Sequence, residues 1–318
     1  MLTLVIAAGF ATEWCTSAHN GDTHALGADS KRLSEMLLRF DGQWYLRIEK
    51  RGYTYDPDIR STVAFFPLYP LLGRLVRFVT RVPADVALLL VSNLCMIASL
   101  WLFRRYLLRP GHSEETIGID CSLRAVVCYP TSFFFLMAYS ESFFFLLTIA
   151  AMYSIRKHQS FWLAASIVGA ATATRPVGVA LLPPLLWHAW QTSINQRQFI
   201  RRLAFGVPIS LSGILLYALF LSVTFGDPLA FARVQAHWSW RPILPATEKM
   251  YALISLEPFY APYMALWPTH WSNFDSPNCI FASLQAANPV LFGTAILLVL
   301  FGMWNKWLTV PEFLLAAG

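Results

Sequence analysis

Three ionisable residues stand where most of their neighbours are apolar. Asp41 opens the aromatic and cationic run "DGQWYLRIEKRGY", Glu141 lies in "YSES" (139–142) and Arg175 in "TATRP" (172–176). A carboxylate held at a membrane surface can take the proton of an attacking hydroxyl. A guanidinium inside an apolar run is costly and is usually there for function, and its fork of N–H donors suits phosphate oxygens. His237 and Arg241, in "QAHWSWR" (235–241), add two more donors for a group that gathers negative charge. The chemistry these types could share is proton abstraction beside a lipid phosphate.

Each residue also has a plainer reading. Asp41 precedes Gly42 and can serve as a helix N-cap, where the helix terminus would lower its pKa. Arg175 can snorkel to the interface, Glu141 is either a second acid or the ion-pair partner of Arg175, and His237 can pack among its tryptophans. "DPD" at 56–58 has the spacing of a metal-binding DxD, but around proline it reads as a turn.

The positioning elements follow from hydropathy. In 318 residues, 56% are hydrophobic, 15% aromatic and only 13% charged, about half the ~25% charge of soluble domains. The fold class expected is all-α, a polytopic transmembrane helical protein. Apolar runs at 84–103, 203–225 and 288–304 each suit one span. Runs at 124–155 and 161–190 exceed one crossing and carry "YSES" and "TATRP" at their middles, so each is expected to be two short helices. Basic clusters then fall on one side, which the positive-inside rule assigns to the cytoplasm: Arg104, Arg105 and Arg109; Arg156 and Lys157; Arg197, Arg201 and Arg202; Lys306.

Segments 19–83 and 226–287 and both polar turns then face the opposite side. The first holds ten Lys and Arg, but its length lies at the edge of the ~60-residue range in which loop charge sets orientation. Within it, helical spacing after Asp41 puts Trp44, Tyr45 and Ile48 on one side and Arg47, Lys50 and Arg51 on the other, with Gly52 as a stop. "STVAFFPLYPLLGRLVRFVTRVP" (61–83) reads as an interfacial helix. The net charge of +6 is spread between apolar runs, which favours membrane lipid over nucleic acid. Five scattered cysteines (Cys15, Cys95, Cys121, Cys128, Cys279) suggest neither a metal site nor a disulfide framework. The first apolar run, at 1–15, is too short to span alone, and "WLTVPEFLLAAG" ends as another begins, so both ends read as interrupted helices.

In order along the chain, "FDGQWYLRIEKRGY", "FFPLYPLL", "YSESFFFLLTIAAMY", "ATRPVGVALLPPLL" and "GDPLAFARVQAHWSWR" resemble the PIG-V family of mannosyltransferases and its bacterial relatives. The resemblance covers about 39–241. It implies a single GT-C-like membrane domain over 1–318: an outer loop at 19–83 with interfacial helices, transmembrane helices at 84–225, a second outer loop at 226–287, and C-terminal helices at 288–318 that stop short of the family's full set. It also implies transfer of mannose, with inversion, from a polyprenyl-phosphate donor to a lipid-linked or membrane-adjacent acceptor hydroxyl. No metal or other cofactor is needed for such a donor.

Carried over position by position, Asp41 falls on the acid of the family's first outer loop, Glu141 on that of its "ES" turn and Arg175 on the Arg of its "TR" turn. The family tends to carry an acid two places before the Gly of "GY". Lys50 stands there in this chain, with Glu49 one place earlier as a candidate supporting acid. The implied setting is a bacterial plasma membrane, or in a eukaryote the endoplasmic reticulum and glycosylphosphatidylinositol assembly. Rival readings are a transporter or lipid flippase, which would place ionisable groups near the midplane in two repeated halves, and an inactive glycosyltransferase-like subunit.

Overall fold

The computed structural model describes residues 36–108, 116–129, 131–157, 160–238, 245–256 and 279–317. Helices dominate, and no strand occurs among the described residues. Helix α1 spans Asp41–Arg51 and α2 spans Leu68–Thr80. They are followed by α3 (Ala84–Leu107), α4 (Thr116–Cys128), α5 (Glu141–Arg156), α6 (Phe161–Thr174), α7 (Leu182–Thr192) and α8 (Gln196–Phe225). Shorter or later elements are α9 (Ala230–Arg233), α10 (Ala246–Ile254), α11 (Cys279–Trp304) and α12 (Val310–Ala317).

Two helices, α3 of 24 residues and α8 of 30, are long and apolar enough to cross a membrane. They contain the spans expected at 84–103 and 203–225. The third expected span lies within α11. Both long apolar runs are interrupted, the second at "TATRP", after which a 3₁₀ turn at Pro176–Leu181 separates α6 from α7. In the first, α4 already ends at Cys128, a 3₁₀ turn follows at Ser132–Phe135, and "YSES" leads into the first turn of α5 instead of joining two equal helices.

Contacts fix the direction of each helix. Near one end of the bundle, Arg156 Nη1 donates to the Tyr106 carbonyl at 2.7 Å, Tyr106 donates its hydroxyl to Glu312, and Arg202 Nη1 donates to Thr192 Oγ1 at 2.6 Å. Towards the other end, Ser92 Oγ donates to the Tyr139 carbonyl at 3.0 Å and Tyr217 donates to the Val63 carbonyl at 2.9 Å. Thus α3 and α5 run parallel, and α6 returns in the opposite sense alongside α8. The cations Arg156 and Arg202 gather at one end, and the "YSES" and "TATRP" turns at the other. Arg109 lies outside the described residues.

The α6–α8 contact is so close that it needs residues without side chains. A Cβ on Gly213 would lie 2.0 Å from the Ala173 nitrogen, and one on Gly169 would lie 2.5 Å from the Ile209 carbonyl oxygen. Thr172 Oγ1 then bridges to the Ser210 carbonyl at 2.9 Å. Small residues at such contacts let backbones approach and raise dispersion contact, the main attraction available between helices in lipid.

Helix α2 lies across α1 and α3. Pro67 and Pro70 fall at its start, where missing N–H donors do little harm. Its inner side buries Tyr69, Pro70 and Gly73, while Leu71, Leu75, Phe78 and Val79 stay exposed.

Replacing Gly213 by Ala should separate α6 from α8 and destabilise the fold by about 1–3 kcal/mol. Thermal unfolding of the protein in detergent or nanodiscs measures it. Gly118→Ala, where an added Cβ meets nothing within 4 Å, is the control and should leave the melting temperature unlowered, raising it slightly because Ala favours a helix interior over Gly.

Candidate active site

Proline chemistry sets the position of Arg175. A residue before proline avoids the helical region, so α6 ends at Thr174 and Arg175 is extended, with φ −151° and ψ 142°. The chain then doubles back so closely that a Cβ on Gly178 would lie 2.7 Å from the Ala171 carbonyl carbon. This reversal leaves the guanidinium at the tip of the α6–α7 pair.

Glu141 reaches the same place from α5. It occupies the first turn of that helix, where the helix N-terminus favours a negative charge. Its Oε1 lies 2.5 Å from Arg175 Nη1, so of its two sequence readings the structure displays the ion pair.

Asp41 arrives from α1, which is docked directly on the "YSES" turn. The Ala138 amide donates to the Leu37 carbonyl at 3.0 Å and the Tyr139 hydroxyl to the Arg39 carbonyl at 3.1 Å. Tyr45, one turn beyond Asp41, donates to Ser140 Oγ at 2.8 Å. From behind, Ser92 holds the Tyr139 carbonyl and shares a 2.7 Å hydrogen bond with the buried Tyr69 hydroxyl. This web of hydroxyls holds the acid turn against the start of α1.

The N-cap reading of Asp41 is corrected here. Asp41 is the first helical residue, and Phe40 occupies the capping position with φ 54° and no side-chain cap hydrogen bond. A positive φ is strained for a bulky residue. The expected fall in the Asp41 pKa is corrected too. Burial raises it above the ordinary Asp range, the Glu141 charge raises it further, and Arg175 only partly offsets them. Losing solvent outweighs the helix terminus because the carboxylate is packed under the acid turn.

The other candidates fall elsewhere. Glu49 lies two turns further along α1, where its buried carboxylate accepts from Arg77 Nη1 at 3.1 Å, and Arg74 Nη2 caps the Ile48 carbonyl at 2.6 Å. It fastens α2 to α1 and is not brought to Asp41. His237 Nε2 donates to the Pro57 carbonyl at 2.8 Å, pinning the chain near Trp238 to the 57–60 loop. Arg241 lies outside the described residues. In "DPD", Asp56 Oδ1 accepts from the Asp58 amide at 3.0 Å, an ordinary turn, and no cluster of three or more metal-ligating side chains occurs among the described residues.

Two grooves elsewhere, one walled by Leu297, Phe301 and Trp304 and the other by Leu100, Leu123 and Val127, are apolar lateral surfaces that do not border Asp41. The shell of Tyr45, Ser140, Ser92 and Tyr69 was not singled out as functional from sequence. Only the alternation of hydroxyl residues with aromatics near "YSES" hints at it.

The site therefore offers a carboxylate poised to accept a proton and a guanidinium partly neutralised by a second carboxylate. The description "Mannosyltransferase (PIG-V)" belongs to the family whose sequence profile matches residues 13–225. No curated protein and no solved structure matches the chain.

Carbodiimide labelling of Asp41 across pH, read by mass spectrometry, should show a midpoint above the ordinary Asp value of about 3.9. Glu141→Gln should move that midpoint down, since it removes a raising charge and frees Arg175. Because the folded state holds this proton more tightly than the unfolded chain, wild type should lose stability as pH rises from the ordinary Asp range through the folded pKa. Asp41→Asn should gain relative stability across that window, as thermal unfolding would record.

Proposed function

Since this chain belongs to the mannosyltransferase (PIG-V) family, we propose that it moves mannose from a polyprenyl-phosphate donor to a membrane-adjacent acceptor hydroxyl on the extracytoplasmic side. The observation that carries this reading is the meeting of Asp41, Glu141 and Arg175 at the end of the bundle away from Arg156 and Arg202.

In the proposed step the acceptor oxygen attacks the anomeric carbon of the donor sugar from the face opposite the phosphate. Asp41 takes the hydroxyl proton as the new C–O bond forms. The bond from the anomeric carbon to the phosphate oxygen breaks, and its electron pair leaves with the lipid phosphate. A carboxylate whose pKa is lifted towards neutrality is a better base than an ordinary Asp, which the burial and the Glu141 charge supply.

Arg175 faces the developing phosphate charge. In the proposed complex its other N–H donors turn towards an oxyanion while Glu141 fixes the guanidinium plane. Binding a second anion would replace part of the Glu141 contact, so Glu141 tunes how strongly the phosphate is held. The single-ended grouping of these side chains supports surface chemistry over passage through the bilayer.

Membranes carrying the full-length chain and supplied with polyprenyl-phosphate-mannose test the reading. Asp41→Asn should lower the transfer rate by about 10²–10⁴-fold, and Arg175→Lys should reduce it with loss of the planar fork. The acidic limb of kcat/KM should fall above pH ~3.9. Equal rates for wild type and Asp41→Asn would remove Asp41 from the mechanism.

A further inference from the structure

Next to Asp41, three large rings from three separate segments close on one another. Trp44 comes from the first turn of α1, Phe65 from the chain after the 3₁₀ turn Thr62–Ala64, and Trp238 from the end of the 3₁₀ helix Val234–Trp238. Trp44 and Phe65 lie nearly parallel at 6.1 Å and 14°. Trp238 stands edge-on to both, 4.9 Å from Trp44 and 5.2 Å from Phe65. The wall continues to Tyr45, 5.0 Å from Phe65, whose hydroxyl sits in the field of Asp41, Glu141 and Arg175.

This cluster is held in place and edged with cations. The Arg47 guanidinium lies 4.7 Å from the Trp44 ring and that of Arg60 lies 5.4 Å from the Trp238 ring. Arg60 Nε also donates to the His237 carbonyl at 2.9 Å, and His237 returns a bond to Pro57. Trp238 is thereby fixed from two directions.

One atom in it is unprovided for. The Trp238 indole N–H is buried and has no hydrogen-bond partner among the described residues. Indole nitrogen can only donate, and a buried donor without an acceptor calls for a specific explanation. If packing alone were required here, phenylalanine would supply the ring without the unmet donor. A ligand oxygen would supply that acceptor.

We propose that Trp44, Phe65 and Trp238 form a subsite for a hexopyranose ring, with the Trp238 N–H donating to a sugar oxygen and Arg47 and Arg60 at its rim. The proposal rests on the glycosyl-transfer reading above. A pyranose presents an apolar C–H face to an aromatic wall and polar hydroxyls at its edge, which suits a mostly aromatic site with few polar groups. Because Trp44 lies one turn from Asp41, a ring bound here has its reacting edge beside the carboxylate. The pyranose belongs either to the donor or to a sugar-bearing acceptor.

The test uses the full-length chain in nanodiscs, comparing wild type with Trp238→Phe, which keeps a ring and removes only the N–H. Binding of methyl α-D-mannopyranoside is followed by saturation-transfer NMR, and transfer by KM for the mannosylated polyprenyl phosphate, KM for the acceptor, and Ki for the sugar-free polyprenyl phosphate. A rise of about tenfold in saccharide Kd or in one KM, with Ki unchanged, is expected for loss of one buried hydrogen bond.

A change in donor KM assigns the ring to the donor, and a change in acceptor KM assigns it to the acceptor. Unchanged saccharide binding and unchanged KM values overturn the subsite, as does an equal rise in Ki, which would mean general packing. Should Trp238→Phe lower the melting temperature, Trp44→Leu decides by the same readouts. Continued transfer with an unaffected Trp238→Phe leaves the glycosyl-transfer reading standing. Trp238-dependent saccharide binding without any transfer by wild type would instead sink that reading alone.

Discussion

The contact between Arg175 and Glu141 ties the two broken runs of this chain to each other. Each residue stands at the tip of a reversal in an otherwise apolar stretch, where a lone charge would be poorly solvated. Pairing at 2.5 Å gives each charge a partner of opposite sign. It also joins the N-terminus of α5 to the C-terminus of α6, so the two tips cannot drift independently. The proton affinity of Asp41 is raised first by its burial and then by the Glu141 charge, and Arg175 offsets part of the rise.

The broad plan was legible because its signals are local and strong. Long apolar runs marked α3 and α8, the polar residues of "TATRP" inside an over-long apolar run marked the reversal, and Gly52 marked the end of α1. Asp41, Glu141 and Arg175 stood out as ionisable residues at odds with their neighbours. What was not legible depends on distances between segments. Whether Asp41 caps α1 turned on one backbone angle at Phe40, and no residue type announces φ 54° at a phenylalanine. Its proton affinity depends on how deeply the acid turn covers it.

The same limit explains Glu49 and His237. Both carry the right functional groups near the right motifs, yet Glu49 is taken up by Arg77 and His237 by the Pro57 carbonyl. A sequence shows which groups exist, whereas their availability is decided by what else packs within about 3 Å. Conversely, Tyr69 and Ser92 lie 23 residues apart in different helices and meet at 2.7 Å, a link that only the folded chain exposes.

Helix α2 adds a mechanical consequence. Its apolar side, with Leu71, Leu75, Phe78 and Val79, is open, while Arg74 and Arg77 on its other side are bolted to α1. A helix with one open apolar side and one bonded side has the two-faced character that suits a lipid interface. Because α2 is bonded to α1 through Arg74 and to α3 through Tyr69, and α1 to the acid turn through Tyr45, that open side and the first carboxylate of α1 belong to one linked unit and shift together.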